Sequence, residues 1–336
     1  MSARRGFVAA GCWTLDHIKM IEQWPAEEGL TQIVGTDKQG GGSAHNLGMD
    51  IRQLDSTMPV AAIGLLGQDP DGDYLHNLAE QQGVDTRQLH RTSKAQTSYT
   101  DVLSARSTGK RTFFHYPGAN DWLTPDHFIF DNTQAKILHL GLLGLHQQLD
   151  QPWKEYTNGW VAILKDARCC GLQTNLEMVS INAARNREIC LPCLPYLDTL
   201  IVNDQEMGSL VCVQTNDDGI VDIPACEAAC LKVMELGGMD LVVVHYPKGA
   251  TCVTRDRQVH HCHSVRLDPE KIIGSVGAGD AFAAGMLYAL HEQWPLDEAL
   301  ELAHAAAAVS LLSATSVGSM RSVKDCLEYS RGMSRR

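Results

Sequence analysis

Short apolar segments alternate with stretches of helical periodicity along most of this 336-residue chain, and that alternation predicts an α/β protein built on a mostly parallel sheet flanked by helices. Two further observations sharpen the prediction. A Thr-, Ser- and Tyr-rich stretch over residues 91–115 breaks the rhythm as an inserted β-hairpin would, a candidate lid. Several strand-like segments end on polar residues, at the edge where open α/β sheets gather ligands. With 44% hydrophobic residues there is ample material for a large core, and no linker, repeat or low-complexity segment divides residues 1–336.

Residues 7–11 read as a short buried strand closed by glycine, and the segment from there to Gly42 is polar and irregular. Apolar residues at helical spacing follow over 46–54, with a strand at 60–64. Asp69 and Pro70 turn the chain into a helix through Gln82. The hairpin is broken at residues 107–109, and further strands are expected at 137–141, 170–175, 199–203 and 241–245, with helical patterns between them. Residues 296–312 form an Ala-rich helix.

Charge and composition exclude several functions. A net charge of −12, with a pI near 5.6, disfavours a nucleic acid or an anionic membrane as the main partner, since either needs clustered Lys and Arg. No apolar run reaches the ~20 residues of a membrane span, and the start lacks the long apolar core of a signal peptide, so a cytoplasmic protein is expected. The 11 cysteines are scattered and should be reduced and mostly buried. Cys190 with Cys193, and the run His260, His261, Cys262, His263, offer metal-ligand types; the second alternates like an exposed strand and the first precedes one, so neither makes a tidy zinc site.

Residues 274–280 read Gly-Ser-Val-Gly-Ala-Gly-Asp and lead into an apolar run over 281–290, which puts Asp280 at the mouth of a buried helix. Gly277, Ala278 and Gly279 let backbone approach a ligand closely, and the unpaired N–H groups and dipole of a first helical turn favour an anion. Phosphoryl transfer uses such a pair of features: a general base takes a proton from a hydroxyl while amides hold the migrating group. Taken alone, the motif equally suits an acid that complements the helix dipole above a tight turn. A dinucleotide fingerprint lacks its third glycine, where Phe282 stands, and the Gly-Lys pair at 109–110 lacks the upstream glycine of a P-loop.

In this order the segments resemble the ribokinase-like (PfkB) carbohydrate kinases over nearly the whole chain. Residues 275–285 look like the C-terminal signature of that family, which implies Asp280 as catalytic base and the amides of Gly277, Ala278 and Gly279 as anion hole. Gly41, Gly42 and Asn46 match the N-terminal signature, whose glycines and asparagine contact sugar hydroxyls, and Asp16 matches the substrate-binding aspartate. Asn203 and Glu206 are similar to the N-x-x-E motif that arranges magnesium and phosphates mainly through water; the same pair also reads as a capping box. Lys248 and Gly249 agree with the nucleotide side of the site. His304 lies on a helix like the one that approaches the adenine edge, although a histidine there is also well satisfied as a helix residue. The resemblance implies a ribokinase-like fold with a small β-sheet lid drawn from about residues 12–42 and 91–116, and ATP and Mg2+ as cofactors.

Departures from the family pattern bear on ligands. Gly274 stands where many relatives carry an aspartate that helps bind potassium, so the resemblance gives no support for monovalent-cation activation. Val244, His245 and Tyr246 replace a Thr-Leu-Gly near the nucleotide, and Thr315-Ser316 replaces a Gly-Ala turn. The expected activity is transfer of the γ-phosphate of ATP to a hydroxymethyl group of a sugar or sugar-like acceptor. The alternatives are a nucleoside or sugar-phosphate kinase, for which Lys38, Arg106 and Arg111 would supply acceptor-phosphate contacts, a non-catalytic sugar or nucleotide sensor, and, last, an interaction scaffold. A projecting lid leaves edges and an apolar face uncovered, which makes a homodimer through it an expectation.

Overall fold

The computed structural model describes residues 4–108, 110–180 and 182–336, so the hairpin break expected at 107–109 lies partly outside the described residues. In chain order its first elements are β1 (Phe7–Gly11), β2 (Thr14–Ile21), β3 (Ile33–Gly41), α1 (Ser43–Leu54), β4 (Val60–Gly67), α2 (Pro70–Gln81), β5 (Asp85–Thr92), β6 (Tyr99–Ala105) and β7 (Arg111–Tyr116). The middle of the chain supplies β8 (Ile137–Leu143), α3 (Gly159–Cys169), β9 (Gln173–Met178), α4 (Ala183–Cys190), β10 (Thr199–Asn203), α5 (Asp204–Val211), and the small hairpin β11 (Asn216–Asp217) with β12 (Ile220–Val221). It ends with α6 (Ile223–Gly237), β13 (Leu241–Tyr246), β14 (Gly249–Thr254), β15 (Val259–His263), α7 (Ala278–His291), α8 (Leu296–Ser310) and α9 (Val323–Ser330).

A nine-stranded sheet, in the order β15-β14-β13-β10-β9-β8-β1-β4-β5, carries the molecule. Strands from β13 to β5 run parallel and β14 and β15 add antiparallel at one edge. Strand periodicity sorts the core onto the two faces. Phe7, Ala9, Ile201, Leu241 and Val243 pack with α1, α7 and α8, while Val8, Ala10, Leu200, Val202, Val242 and Val244 face α3 and α6. Because both faces are covered, the central strands are apolar almost throughout, which is why they were legible as short continuous runs. No described helix is long and apolar enough to cross a membrane.

A separate four-stranded sheet, β3-β2-β6-β7, stands beside the carboxyl end of β1. The stretch expected to be irregular after Gly11 is therefore mostly strand. Its polar residues misled because β3 is mostly exposed and the middle of β2 is only half-buried. The inserted hairpin begins at Tyr99 rather than 91, since residues up to Thr92 belong to β5 of the large sheet. That edge strand buries only Leu89, too little apolar signal to show as a strand. Cys190 and Cys193 lie at the end of α4 and in the 3-10 turn that follows it, both buried.

The tightest helix contact is between α7 and α8. A Cβ added to Gly285 would come within 2.9 Å of Ala303 Cα and 3.0 Å of Leu302 O, and neither backbone atom can rotate away. Gly285→Ala is accordingly expected to cost about 1–3 kcal/mol through overpacking. Urea unfolding of wild type and variant checks this; equal midpoints would show that the helices separate freely.

Candidate active site

The residues singled out in the sequence converge at the carboxyl edge of the sheet, where the strand order reverses between β1 and β8. Gly277 caps α7 with φ 81°, and a Cβ there would strike Ser316 O at 2.4 Å, so only glycine lets the loop turn into the helix this way. The amides of Ala278, Gly279 and Asp280 follow in the first turn, where no intrahelical acceptor exists. Gly42 serves α1 similarly with φ 87°, its Cα packed against Cys12.

Asn46, one turn into α1, donates through Nδ2 to Asp280 Oδ2 at 2.7 Å. Its Oδ1 accepts from Ser316 Oγ at 3.0 Å and is approached by His45 Nδ1 at 3.1 Å, so the amide is held in one orientation. Asp16 on β2 pairs with Gln39 on β3, and its carboxyl reaches along to Gly41, where a Cβ would be 2.6 Å from Asp16 Oδ2. Burial, opposed by the Thr100 hydroxyl and helped by the charge of Asp280, pushes the Asp16 acid up to about 6. The Asp280 acid is held well above the usual carboxylate range, by burial first and then by Glu177.

Asn203 and Glu206 do form a capping box at the start of α5. Glu206 N donates to Asn203 Oδ1 at 2.9 Å and Asn203 N to Glu206 Oε2 at 3.1 Å, while Ser180 Oγ donates to Glu206 Oε1 at 3.0 Å. Burial, only partly offset by these bonds, pushes Glu206 up to about 7. Each oxygen already accepts a protein hydrogen bond and keeps a lone pair over. That donor set fits an outer-sphere role toward a hydrated magnesium ion and does not fit a closed protein cage.

A cavity of about 250 Å³ opens beside the first turn of α7, lined by Asn203, Tyr246, Gly249, Ala278, Gly279 and Phe282 among others. His304 also lines it, edge-on to Phe282 with centroids 5.1 Å apart, and burial lowers its ring to about 4. Lys248 is exposed on the turn between β13 and β14 and is not among the lining residues. His245, one of the departures from the family pattern, sits with Cε1 3.3 Å from where a Gly279 Cβ would lie. Lys38 donates to Asp71 Oδ1 at 2.7 Å and Arg106 pairs with Glu22 at 3.0 Å, whereas Arg111 reaches from the lid to Ala314 O beside Gly274. Among the described residues, no group of three or more His, Cys, Asp or Glu is placed to hold a metal ion.

Sequence reasoning missed the groups behind Asp280. Glu177, on β9, is the charged group that most raises the Asp280 acid after burial, and His139 on β8 stands 2.9 Å from Glu177 Oε2. Asn175 Oδ1 lies 2.9 Å from His139 Nδ1. A signal existed, since polar residues inside otherwise apolar central strands need partners, but only the register of β8 against β9, His139 beside Asn175, identifies them. Ser316 was read as a departure, yet its hydroxyl orients Asn46.

Comparison with known proteins agrees with this architecture. A family model described as pfkB family carbohydrate kinase matches residues 14–322. A 5-dehydro-2-deoxygluconokinase of Clostridium perfringens is 22% identical over 311 residues, covering 89% of this chain and 86% of its own. Ketohexokinase of Mus musculus is 24% identical over 296 residues, covering 87% and 91%. Among solved structures, the Arabidopsis thaliana ribokinase complexed with ribose and ATP superposes with a TM-score of 0.80 at 21% identity, over 98% of this chain and 99% of that one. The Thermotoga maritima ribokinase gives 0.77 at 19% identity, over 96% and 99%. The mostly parallel sheet with its small second sheet is the ribokinase fold, and with the family model matched over 14–322 the chain belongs to the pfkB family and is an ATP-dependent carbohydrate kinase.

Proposed function

We propose that the enzyme transfers the γ-phosphate of ATP to a hydroxymethyl group of a sugar or sugar-like acceptor, with Asp280 as the general base. The observation that carries this reading is the carboxyl of Asp280 at the first turn of α7, oriented by Asn46 and next to the N-terminal amides of that helix. Asp280 takes the hydroxyl proton as the acceptor oxygen attacks phosphorus in line. The amides of Gly277, Ala278 and Gly279 offset charge growing on the phosphoryl oxygens. Asp16, with the bare backbone of Gly41 and Gly42, binds the acceptor, and Asn46 keeps the base aimed at it.

The apolar wall of Tyr246, Phe282, Ala307, Ala308 and Leu311 suits a nucleobase, with Gly249 and His304 in the same lining. Asn203 and Glu206 would hold the waters of a magnesium ion, which would supply positive charge to the phosphates. Lys248 stands on the exposed turn outside this lining. We read the whole chain as one catalytic unit whose β3-β2-β6-β7 sheet covers the acceptor and excludes water. Pairing of Lys38 and Arg106 with acids leaves Arg111 as the remaining contact of the three for an acceptor phosphate, which favours an unphosphorylated sugar. With Arg111 beside Gly274, no monovalent-cation requirement is expected. The exposed Ile33, Phe113 and Phe114 of the lid support a homodimer through that sheet.

Asp280→Asn should still bind nucleotide, by calorimetry, yet lose ~2–4 orders of magnitude in kcat, the scale of a general base; near-normal ADP release with any sugar would remove Asp280 from this role. The base works ionised, and its acid is raised in the folded protein, so turnover must climb as pH rises through and beyond the usual carboxylate range. A pH–rate profile flat from the acid side upward would contradict that. Asp16→Asn should raise the acceptor KM about tenfold or more while leaving ATP KM near its original value, as loss of a buried hydroxyl contact does. Steady-state kinetics with each substrate varied in turn checks this, and an effect confined to ATP would reassign Asp16.

A further inference from the structure

We propose that His245 is a nucleotide-binding residue, its ring donating a hydrogen bond to the phosphate chain of ATP beside the first turn of α7. The inference deepens the kinase reading above and rests on it for the identity of the ligand.

His245 is the last residue but one of β13, and the parallel register of β13 with β10 sets it beside Asn203 at the carboxyl edge of the sheet. Two further contacts fix where the half-buried ring lies. Its Cε1 is 3.3 Å and its Nε2 3.6 Å from the position a Cβ would take on Gly279. Its plane packs against Phe282, with centroids 5.1 Å apart and an angle of 35° between the rings. The imidazole therefore stands against the bare first turn of α7, where amides without intrahelical acceptors favour an anion, and it lines the same cavity. His304 touches Phe282 too, edge-on, but it comes from α8 with Ala307 and Ala308, the apolar wall that suits a base.

A phosphate chain needs donors, and the other polar side chains of the lining are engaged within the protein. Tyr246 Oη shares a hydrogen bond with Thr251 Oγ1 at 3.1 Å. Ser264 Oγ donates to Pro247 O at 2.9 Å, and the exposed Arg336 donates to the same carbonyl through Nη1 at 3.2 Å. Asn203 Nδ2 donates to Ser180 Oγ at 3.4 Å. Among the described residues neither nitrogen of His245 has a hydrogen-bond partner, and burial is the one influence on the ring, lowering it to about 4. Such a ring is uncharged at neutral pH and carries one N–H and one lone pair. It can donate to an anion without the cost of burying an unpaired cation. A phosphate oxygen supplies the partner that the protein does not. The family pattern has leucine at this position, which packs on Phe282 but donates nothing, so the contact is an addition made by this chain.

Calorimetry with Mg2+ present, direct for a non-hydrolysable ATP analogue and by displacement for adenosine, tests the assignment. His245→Leu keeps apolar packing on Phe282 and removes the N–H. It should bind the analogue about ten- to a hundredfold more weakly, the scale of one hydrogen bond to a charged group, and adenosine within about twofold of wild type. Equal weakening of both ligands, or weakening of neither, overturns the proposal, because the ring would then serve packing alone. Nitrogen-15 NMR of histidine-labelled wild type gives a second test that depends on no variant's stability beyond assignment, made from the signals missing in His245→Gln. Adding the analogue should shift the His245 ring nitrogens and adenosine should leave them in place; the same shift with adenosine, or none with either ligand, sinks the idea. Neither measurement involves turnover, so failure of Asp280 as the base, or of a sugar as the acceptor, would show in the kinetics and leave both of these results standing.

Discussion

Several carboxyl groups are buried close enough to act on one another's charge, and the rest of the site follows from how that charge is managed. Asp280, Glu177, Glu206 and Asp16 are all raised above their ordinary range, and burial is the largest cause for each. Left alone, such a cluster would weaken the fold. What offsets it is specific: the Asn46 amide on Asp280, the capping box and Ser180 on Glu206, the Thr100 hydroxyl on Asp16 and the His139 ring on Glu177. The remaining imbalance is useful to a kinase. Acids attract a hydrated divalent cation, helix amides attract phosphoryl oxygens, and a carboxyl with raised affinity for protons is a better acceptor for one.

Holding these groups in place requires rigid backbone, and the molecule supplies it at close contacts that a side chain would spoil. Gly277 lies over Ser316 O and Gly285 over the α8 backbone, so α7 is fixed at its start and in its middle. Apolar packing on both faces of the large sheet then sets the positions of β8, β9 and β10, whose carboxyl ends or interiors carry His139, Glu177 and Asn203. The second sheet brings Asp16 and Gly41 to the same point because β2 and β3 are paired in a register that sets Thr14 across from Gly41 at its end. A hydrolytic side reaction is what such a covering sheet guards against, since water competes with any sugar hydroxyl for an activated phosphoryl group.

How much of this was legible in the sequence depended on the kind of signal. Central strands showed plainly, because burial on both faces leaves apolar runs such as residues 241–244. The edge strand β5 did not, since it is polar and buries only Leu89. The lid strands after Gly11 looked irregular because a mostly exposed β3 and a half-buried β2 carry no clear alternation of apolar residues. Among site residues, Asp280 with its glycines and the Asn203–Glu206 pair could be found from local spacing, whereas Asn46 entered only through the resemblance of residues 41–46 to the family's N-terminal signature. Lys248, expected on the nucleotide side from the resemblance, lies on the exposed turn outside the cavity lining.

By itself the sequence determined the α/β class, the place of the glycine turn before α7, the acid in that helix's first turn and the capping box of α5, because each depends on residues within a few positions of one another. Only the tertiary structure decided what those groups face: Asn46 meeting Asp280, Ser316 meeting Asn46, and His139 and Glu177 standing behind the base. Those contacts join residues from distant parts of the chain, and strand register, which no local pattern specifies, sets which of them share a cavity.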